Sequence, residues 1–158
     1  MLRRRFLSSL TVLALLFGLS SCNAPAPSWV VVVDGNGGVS VRGLCSGKIR
    51  EVGVARVTGR PQVDDSDYIW QATAKSGSDQ QQSVRLFVSS PYYNSTAPIE
   101  RQDIGYPFDV IVMSESIRIS EDSTTPAILW NGKVYSVDDL PKIEAEYAKT
   151  VSRTRSCG

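Results

Sequence analysis

The sequence predicts a mainly β domain, an antiparallel β-sandwich closed by one C-terminal α-helix. Short apolar or alternating segments recur along the chain, separated by turn residues about every 8 to 12 positions. The pair Asn131-Gly132 joins two of these segments and is a strong hairpin signal. The last apolar segment has the helical period instead. Among sandwiches of this size we expect the immunoglobulin-like arrangement.

The strand segments are rich in β-branched and aromatic residues, which favour the pleated, half-buried surface of a sheet. In chain order the predicted strands are residues 29–33, 39–42, 49–57, 68–72, 84–88, 108–113, 117–119, 128–130 and 133–135.

A helix is predicted over about residues 139–153. Leu140, Ile143, Tyr147 and Val151 lie on one face, at spacings of three and four residues. Acidic residues precede this segment and basic residues gather near its end, which suits the helix dipole. We expect the apolar stripe to pack on the sheet and not to serve as a partner-binding face.

The first 21 residues predict export. Three arginines, residues 3–5, precede an apolar run over residues 10–19. This run is too short for a membrane-spanning helix, which needs about 20 apolar residues, and is typical of a secretory signal. Arg3-Arg4-Arg5-Phe6-Leu7 is also similar to twin-arginine export signals, although the strongly apolar core favours the general secretory route.

The end of this signal identifies its kind. Leu19-Ser20-Ser21-Cys22 resembles the lipobox of bacterial lipoproteins, in which an aliphatic residue and two small ones precede a cysteine. The resemblance implies cleavage before Cys22 and a diacylglycerol on its thiol. The protein would then be anchored on the exported side of a bacterial membrane, in the periplasm or at the cell surface. The alternative is an ordinary secretory peptide that contains a cysteine.

The lipobox divides the chain into a signal peptide (1–21), a Pro/Ala tether (22–28) and one domain (29–158). Fully extended, the tether spans only about 20 Å, so the domain is expected close to the membrane. Once Cys22 carries lipid, Cys45 and Cys157 are left as a disulfide pair in an oxidising compartment. That bridge would contribute roughly 4 to 5 kcal/mol in the chain-entropy model.

The charge balance of the mature chain excludes two kinds of partner. Three of the 17 basic residues lie in the signal peptide, and the remainder against 16 acidic residues gives a net charge of about −2. A near-neutral surface without a basic run predicts no nucleic-acid partner. It also argues against electrostatic docking to anionic lipid, so the acyl chains are expected to provide the membrane attachment.

The chain contains no histidine, which excludes Ser-His, Cys-His and histidine-ligated metal chemistry. We expect no enzyme, no metal site and no cofactor. The acidic residues Asp64, Asp65 and Asp67 could offer oxygen ligands to calcium, but a solvated turn is the favoured interpretation because no glycine-centred calcium loop surrounds them.

The segment 89–106 is the candidate binding region. It is longer than most connecting loops and carries Tyr92, Tyr93, Asn94 and Tyr106. Tyrosines offer rigid, amphipathic contact area, so we expect these four residues to form a surface that contacts another envelope protein or a glycan. The alternative is that the tyrosines cap the sandwich core.

These features favour a non-catalytic interaction module of the cell envelope that is anchored to its membrane through Cys22. The alternative is a lipoprotein that binds a small ligand or a glycan. Such a protein should have a pocket lined by Trp70, Tyr68 or the tyrosines of the 89–106 loop. An enzyme is the third and least favoured class.

Overall fold

The computed structural model describes residues 26–60, 63–77, 80–96, 104–124 and 126–151. Within these ranges the chain forms ten β-strands and one α-helix. The elements are β1 (Trp29–Val33), β2 (Val39–Gly43), β3 (Glu51–Arg56), β4 (Tyr68–Ala74), β5 (Ser83–Arg85), β6 (Tyr93–Ser95), β7 (Phe108–Val112), β8 (Glu115–Ile119), β9 (Ala127–Trp130), β10 (Lys133–Tyr135) and α1 (Leu140–Val151).

The strands form two antiparallel sheets that pack face to face. The first sheet has the order β10-β9-β1-β2-β5 and the second the order β6-β4-β3-β7-β8. The neighbours β1-β2-β5 and β4-β3-β7-β8 are those that strands A-B-E and C′-C-F-G make in immunoglobulin domains. The β9–β10 hairpin extends the first sheet beyond β1. The predicted β-sandwich with one C-terminal helix is therefore confirmed.

The valine run of β1 is apolar at every position because both of its faces are covered. Val31 and Val33 belong to the core between the sheets. Val30 and Val32 face outward and contribute to a second apolar cluster under α1. A strand buried on both sides loses the alternation of apolar and polar residues that a solvated strand shows.

Helix α1 covers the outer face of the first sheet. Ile143 is fully buried there, and Leu140 and Tyr147 pack against the same cluster as Ile128 and Trp130. Burying a side chain such as Ile143 contributes about 1.5 to 3 kcal/mol. The predicted apolar stripe is thus a core contact, and residues 152–153 of the predicted helix lie outside the described residues.

The β9–β10 hairpin forms as its turn residues predict. Asn131 and Gly132 both adopt positive φ, at 50° and 72°. That is the geometry of a type I′ turn, whose twist matches the strands that it joins.

Two predicted elements differ from the structure. The strand expected over 84–88 ends at Arg85, because the chain turns at Phe87, where φ is 65°, and places the Phe87 ring in the core. The loop expected over 89–106 contains β6, which pairs antiparallel with β4. Its three residues Tyr-Asn-Ser have too little apolar pattern to predict a strand.

The chain is docked to the domain before β1 begins. The Pro27 carbonyl accepts a hydrogen bond from Trp130 Nε1 at 2.8 Å, and the Ser28 carbonyl accepts one from the Leu44 N–H at 2.9 Å. Ala26 packs against the cluster under α1. Residues 26–28 of the expected tether therefore belong to the folded domain, and residues 22–25 lie outside the described residues.

Candidate functional site

Tyr93, one of the four expected surface residues, belongs to the core. Its side chain is only 3% exposed. Its hydroxyl donates a hydrogen bond to the Ile49 carbonyl and accepts one from the Gln81 N–H at 3.2 Å. Burial raises the pKa of this hydroxyl, partly offset by the Gln81 hydrogen bond. Tyr93 therefore joins segments of the sandwich and does not contribute to a recognition surface.

Tyr92 and Tyr106 are exposed, by 44% and 37%, but they lie at opposite ends of β4. The Tyr92 carbonyl accepts a hydrogen bond from the Lys75 N–H, just after β4 ends. Tyr106 lines a cleft with Ile69, near the beginning of β4. Ile69 and Lys75 are six residue steps apart along extended chain, which corresponds to about 20 Å. The structure does not bring the two tyrosines together.

Asn94 lies in β6 at the edge of the second sheet. It pairs with Thr73 of β4, and both side chains are exposed. It is therefore near Tyr92 at the same end of the sheet and remote from Tyr106.

The cleft beside Tyr106 has a volume of about 650 Å³. Three chain segments build it: the end of β3, the beginning of β4, and the residues that lead into β7. Its lining residues are Arg56, Val57, Tyr68, Ile69, Ile104, Gly105, Tyr106, Pro107 and Phe108.

One wall of the cleft is an aromatic stack. The Tyr106 and Phe108 rings lie 5.7 Å apart between centroids, at an interplanar angle of 28°. The peptide bond between Tyr106 and Pro107 is cis. Phe108 is buried and also meets the Phe87 ring edge-on, at 6.0 Å. The exposed Tyr106 ring thus rests on a ring that the core holds in place.

A β-bulge orients Tyr68, another residue of the cleft lining. Val54 pairs with Trp70, but Ala55 pairs with Tyr68, so Ile69 is an extra residue in β4. The extra residue reverses the alternation of side chains: Ile69 packs on the core and Tyr68 turns to the outer face. The Tyr68 ring lies across Gly53, where a Cβ atom would come within 2.3 Å of Tyr68 Cε1.

The electrostatics of the cleft come from one cation and the phenol groups. Arg56 is exposed at the end of β3 and is the cationic residue of the lining. Burial raises the pKa of the Tyr68 hydroxyl, and the negative charges of Glu51 and Asp65 raise it further. Tyr68 therefore stays protonated and can both donate and accept hydrogen bonds. The cleft offers aromatic faces, phenol hydroxyls and a guanidinium group, a combination suited to binding.

The acidic turn beside the cleft is partly neutralised by one arginine. Arg60 contacts the carboxylates of both Asp64 and Asp67. The Asp67 carboxylate also accepts a hydrogen bond from the Asp64 N–H, at 2.9 Å. These contacts hold the short 3₁₀ turn Asp65–Asp67. In the described part of the chain, no group of three or more acidic, cysteine or histidine side chains could hold a metal ion.

The two other predicted sites fall largely outside the described residues. Cys22 and Cys157 are not among them. Cys45 is disulfide-bonded, and its sulfur lies 3.9 Å from the Glu144 carbonyl of α1. The pairing of Cys45 with Cys157, and the lipid on Cys22, stay predictions.

Sequence reasoning named Tyr106 and, for the ligand-binding alternative, Tyr68 and Trp70. The first two line the cleft, whereas Trp70 is buried and packs against Phe87 in the core. Arg56 was not predicted as a site residue, because an exposed charge at a strand end carries no local signal of function.

The chain matches no protein-family model, no curated protein and no solved structure. No helix in the described ranges combines the length and the apolar character needed to cross a bilayer.

Proposed function

We propose that this protein is a lipid-anchored bacterial lipoprotein whose β-sandwich is a non-catalytic interaction module of the cell envelope. The anchor follows from the lipobox resemblance at Cys22. The observation that carries the interaction module is the cleft, whose lining includes the stacked Tyr106 and Phe108 rings and Tyr68.

The lining of the cleft supports binding and not catalysis. Its polar side chains are those of Arg56, Tyr68 and Tyr106. Rigid aromatic side chains and arginine are the residue types that dominate the energetics of protein interfaces. The nine lining residues include no serine, threonine, cysteine, lysine, histidine or carboxylate, so the two tyrosines are the sole residues among them of a type used as nucleophile or base.

The lipid anchor is tested by comparing two lipobox variants in cells fed an alkyne-bearing fatty acid. The wild type and Ser21→Ala, which keeps a small residue before the cysteine, should incorporate the label and sediment with membranes. Cys22→Ser should lose both properties. Label on Cys22→Ser, or an unlabelled wild type, would contradict the anchor.

The interaction module is tested by crosslinking the intact protein in its native envelope, followed by affinity recovery and mass spectrometry. The wild type should recover one partner protein in near-equal amount. Tyr106→Ala truncates a central aromatic contact and should lower recovery about tenfold. Tyr92→Ala is the matched control, because Tyr92 is a similarly exposed tyrosine at the other end of the sheet. If Tyr106→Ala recovers as much partner as the wild type, the cleft is not part of the interface.

A small ligand or a glycan is the second candidate for the same cleft. The volume of about 650 Å³ lies within the range of roughly 300 to 1,000 Å³ common for ligand pockets. The pocket required by that alternative, lined by Tyr68 and a loop tyrosine, is present. Recovery of the lipoprotein alone in the crosslinking experiment would favour this candidate. Calorimetric titration with soluble glycan fragments should then show binding that Tyr68→Ala abolishes and Tyr92→Ala preserves.

A further inference from the structure

The point at which the tether leaves the domain is set by hydrogen bonds. Pro27 and Ser28 are held against Trp130 and Leu44, so the described chain begins beside the start of β1. Three residues, 23–25, lie between Cys22 and Ala26, the first described residue. Even when fully extended, the four residue steps from Cys22 to Ala26 span at most about 14 Å. A lipid on Cys22 therefore holds this end of the sandwich close to the membrane.

The strand registers identify what else lies at this end, which we call the anchor end. Trp29 pairs with Gly43, and its indole N–H donates to the Glu115 carboxylate at 2.9 Å. The Met113-Ser114 turn, directly before Glu115, is therefore at the anchor end too. Glu51 at the start of β3 pairs with Thr73 near the end of β4, so the flanking residues 48–50 and 75 lie there as well.

The opposite end, which we call the far end, carries the cleft. Arg56 pairs with Phe108 and Ala55 with Tyr68, at the other limit of the second sheet. The edge-on contact between Phe87, which follows β5, and Phe108 joins the far ends of the two sheets. About five strand residues, or roughly 17 Å, separate the two ends.

Charge is distributed unevenly between the two ends. The anchor end carries the basic residues Arg42, Lys48, Arg50, Lys75 and Lys133 and the acidic residues Glu51, Glu115 and, on α1 beside Cys45, Glu144. Those at the far end carry the acidic residues Asp34, Asp64, Asp65, Asp67, Glu121 and Asp122 and the basic residues Arg56, Arg60 and Arg85. Among the described residues, the anchor end is therefore net positive and the far end net negative.

The anchor end also exposes apolar surface. Met113 is 63% exposed and occupies a turn position with φ of 51°, and Tyr92 is 44% exposed next to Lys75. Apolar and tyrosine side chains interspersed with lysine and arginine are typical of surfaces that lie at the membrane interface. Basic side chains within a Debye length of about 8 Å are attracted to anionic headgroups.

We propose that the anchor end rests on the anionic headgroup surface of the membrane that holds the lipid, and that the cleft consequently faces away from that membrane. The inference rests on the proposed lipid anchor at Cys22. It adds an orientation, in which the Met113 turn, Tyr92 and the basic residues contact lipid. Net charge alone predicts no electrostatic attraction to anionic lipid. The uneven distribution of charge changes that expectation, because the basic residues lie at the anchor end.

The orientation is tested with the intact lipidated protein in vesicles of phosphatidylethanolamine and phosphatidylglycerol. A photoreactive benzoylphenylalanine replaces Met113 at the anchor end or Asp122 at the far end; both side chains are exposed. Because the ends are about 17 Å apart, position 113 should give at least about tenfold more lipid adduct than position 122. Equal adducts, or more from position 122, would overturn the orientation.

Charge reversal separates electrostatic contact from mere tethering. Lys48→Glu should lower the lipid adduct from position 113 about threefold or more, whereas the far-end control Arg85→Glu, which lies outside the cleft lining, makes the same change in net charge and should leave the adduct unchanged. Equal effects of the two variants would refute the headgroup contact. Vesicle flotation and the mass of the protein test the lipid anchor independently of the crosslinks. A protein that lacks the lipid mass and does not float contradicts the proposed function. A protein that floats but gives equal lipid adducts from positions 113 and 122, or more from position 122, contradicts only the orientation.

Discussion

Removal of the Tyr93 hydroxyl is the sharpest test of how the sandwich is held together. Tyr93 was expected at the surface, but its ring is buried and its hydroxyl bridges the Ile49 carbonyl and the Gln81 N–H. These two groups precede β3 and β5, in different sheets. Tyr93→Phe keeps the ring in the core and deletes only the bridge.

The expected loss of stability follows from the burial of the two groups. Ile49 is 2% exposed, so its carbonyl would be left without a partner inside the protein, whereas Gln81 is half-buried and nearer to water. Leaving a buried polar group unsatisfied costs about 1 to 3 kcal/mol. We expect the free energy of unfolding to fall by about 2 kcal/mol, which moves the urea midpoint by roughly 1 M.

The measurement is urea unfolding of the mature chain carrying Cys22→Ser, with Tyr92→Phe as the control. Tyr92 is exposed, so its variant should stay within about 0.5 kcal/mol of the parent. An unchanged midpoint for Tyr93→Phe would refute the bridging role of the hydroxyl.

The pH dependence of the same variant gives an independent check. Because burial raises the pKa of Tyr93, the folded state holds this proton more tightly than the unfolded state, where the pKa is about 10. The corresponding stabilisation is complete below pH of about 10 and is lost as the pH rises through the folded-state pKa. The parent should therefore lose stability more steeply than Tyr93→Phe in alkaline solution, and parallel curves would contradict the assignment.

Two further predictions concern the packing of Tyr68 and the tryptophans of the core. Gly53→Ala should destabilise the wild type by about 1 to 3 kcal/mol, because the added Cβ would overlap the Tyr68 ring. In a Tyr68→Ala background, where that ring is absent, the same substitution should stabilise the protein. Additive effects of the two substitutions in a double-mutant cycle would disprove the contact. Trp70→Phe should cost less stability than Trp29→Phe, because the buried Trp70 indole N–H has no partner in the described structure whereas that of Trp29 donates to Glu115. Thermal unfolding of both variants decides this, and the reverse order would refute it.

Local patterns were sufficient to predict most of the secondary structure. The turn at Asn131-Gly132 requires two positive φ angles, and asparagine and glycine are the residues that accept them. The stripe of Leu140, Ile143 and Tyr147 defines one helical face, which packs where an apolar face must pack. The lipobox resemblance at Cys22 is equally local, since it rests on four consecutive residues.

The candidate site could be predicted only in part. Tyr106 was named from its place in a long loop, but its partners Arg56 and Ile69 come from strands that are far apart in the chain. The bulge at Ile69 reverses which side chains at the start of β4 face outward. The residues around Ile69 give no sequence signal for a bulge. Tyr93 looks like its neighbour Tyr92 in the sequence, and only the pairing of β6 with β4 places it inside.

The net charge could be predicted from the sequence, whereas its distribution over the surface depends on the fold. Composition is sufficient to give a nearly neutral chain, because net charge is a sum over residues and does not depend on the fold. The separation into a basic anchor end and an acidic far end arises when antiparallel pairing gathers alternate turns at each end of the sandwich. Periodicity and turn chemistry act over a few residues, so they are readable in the sequence. Which distant side chains converge depends on strand register and sheet packing, which long-range contacts determine.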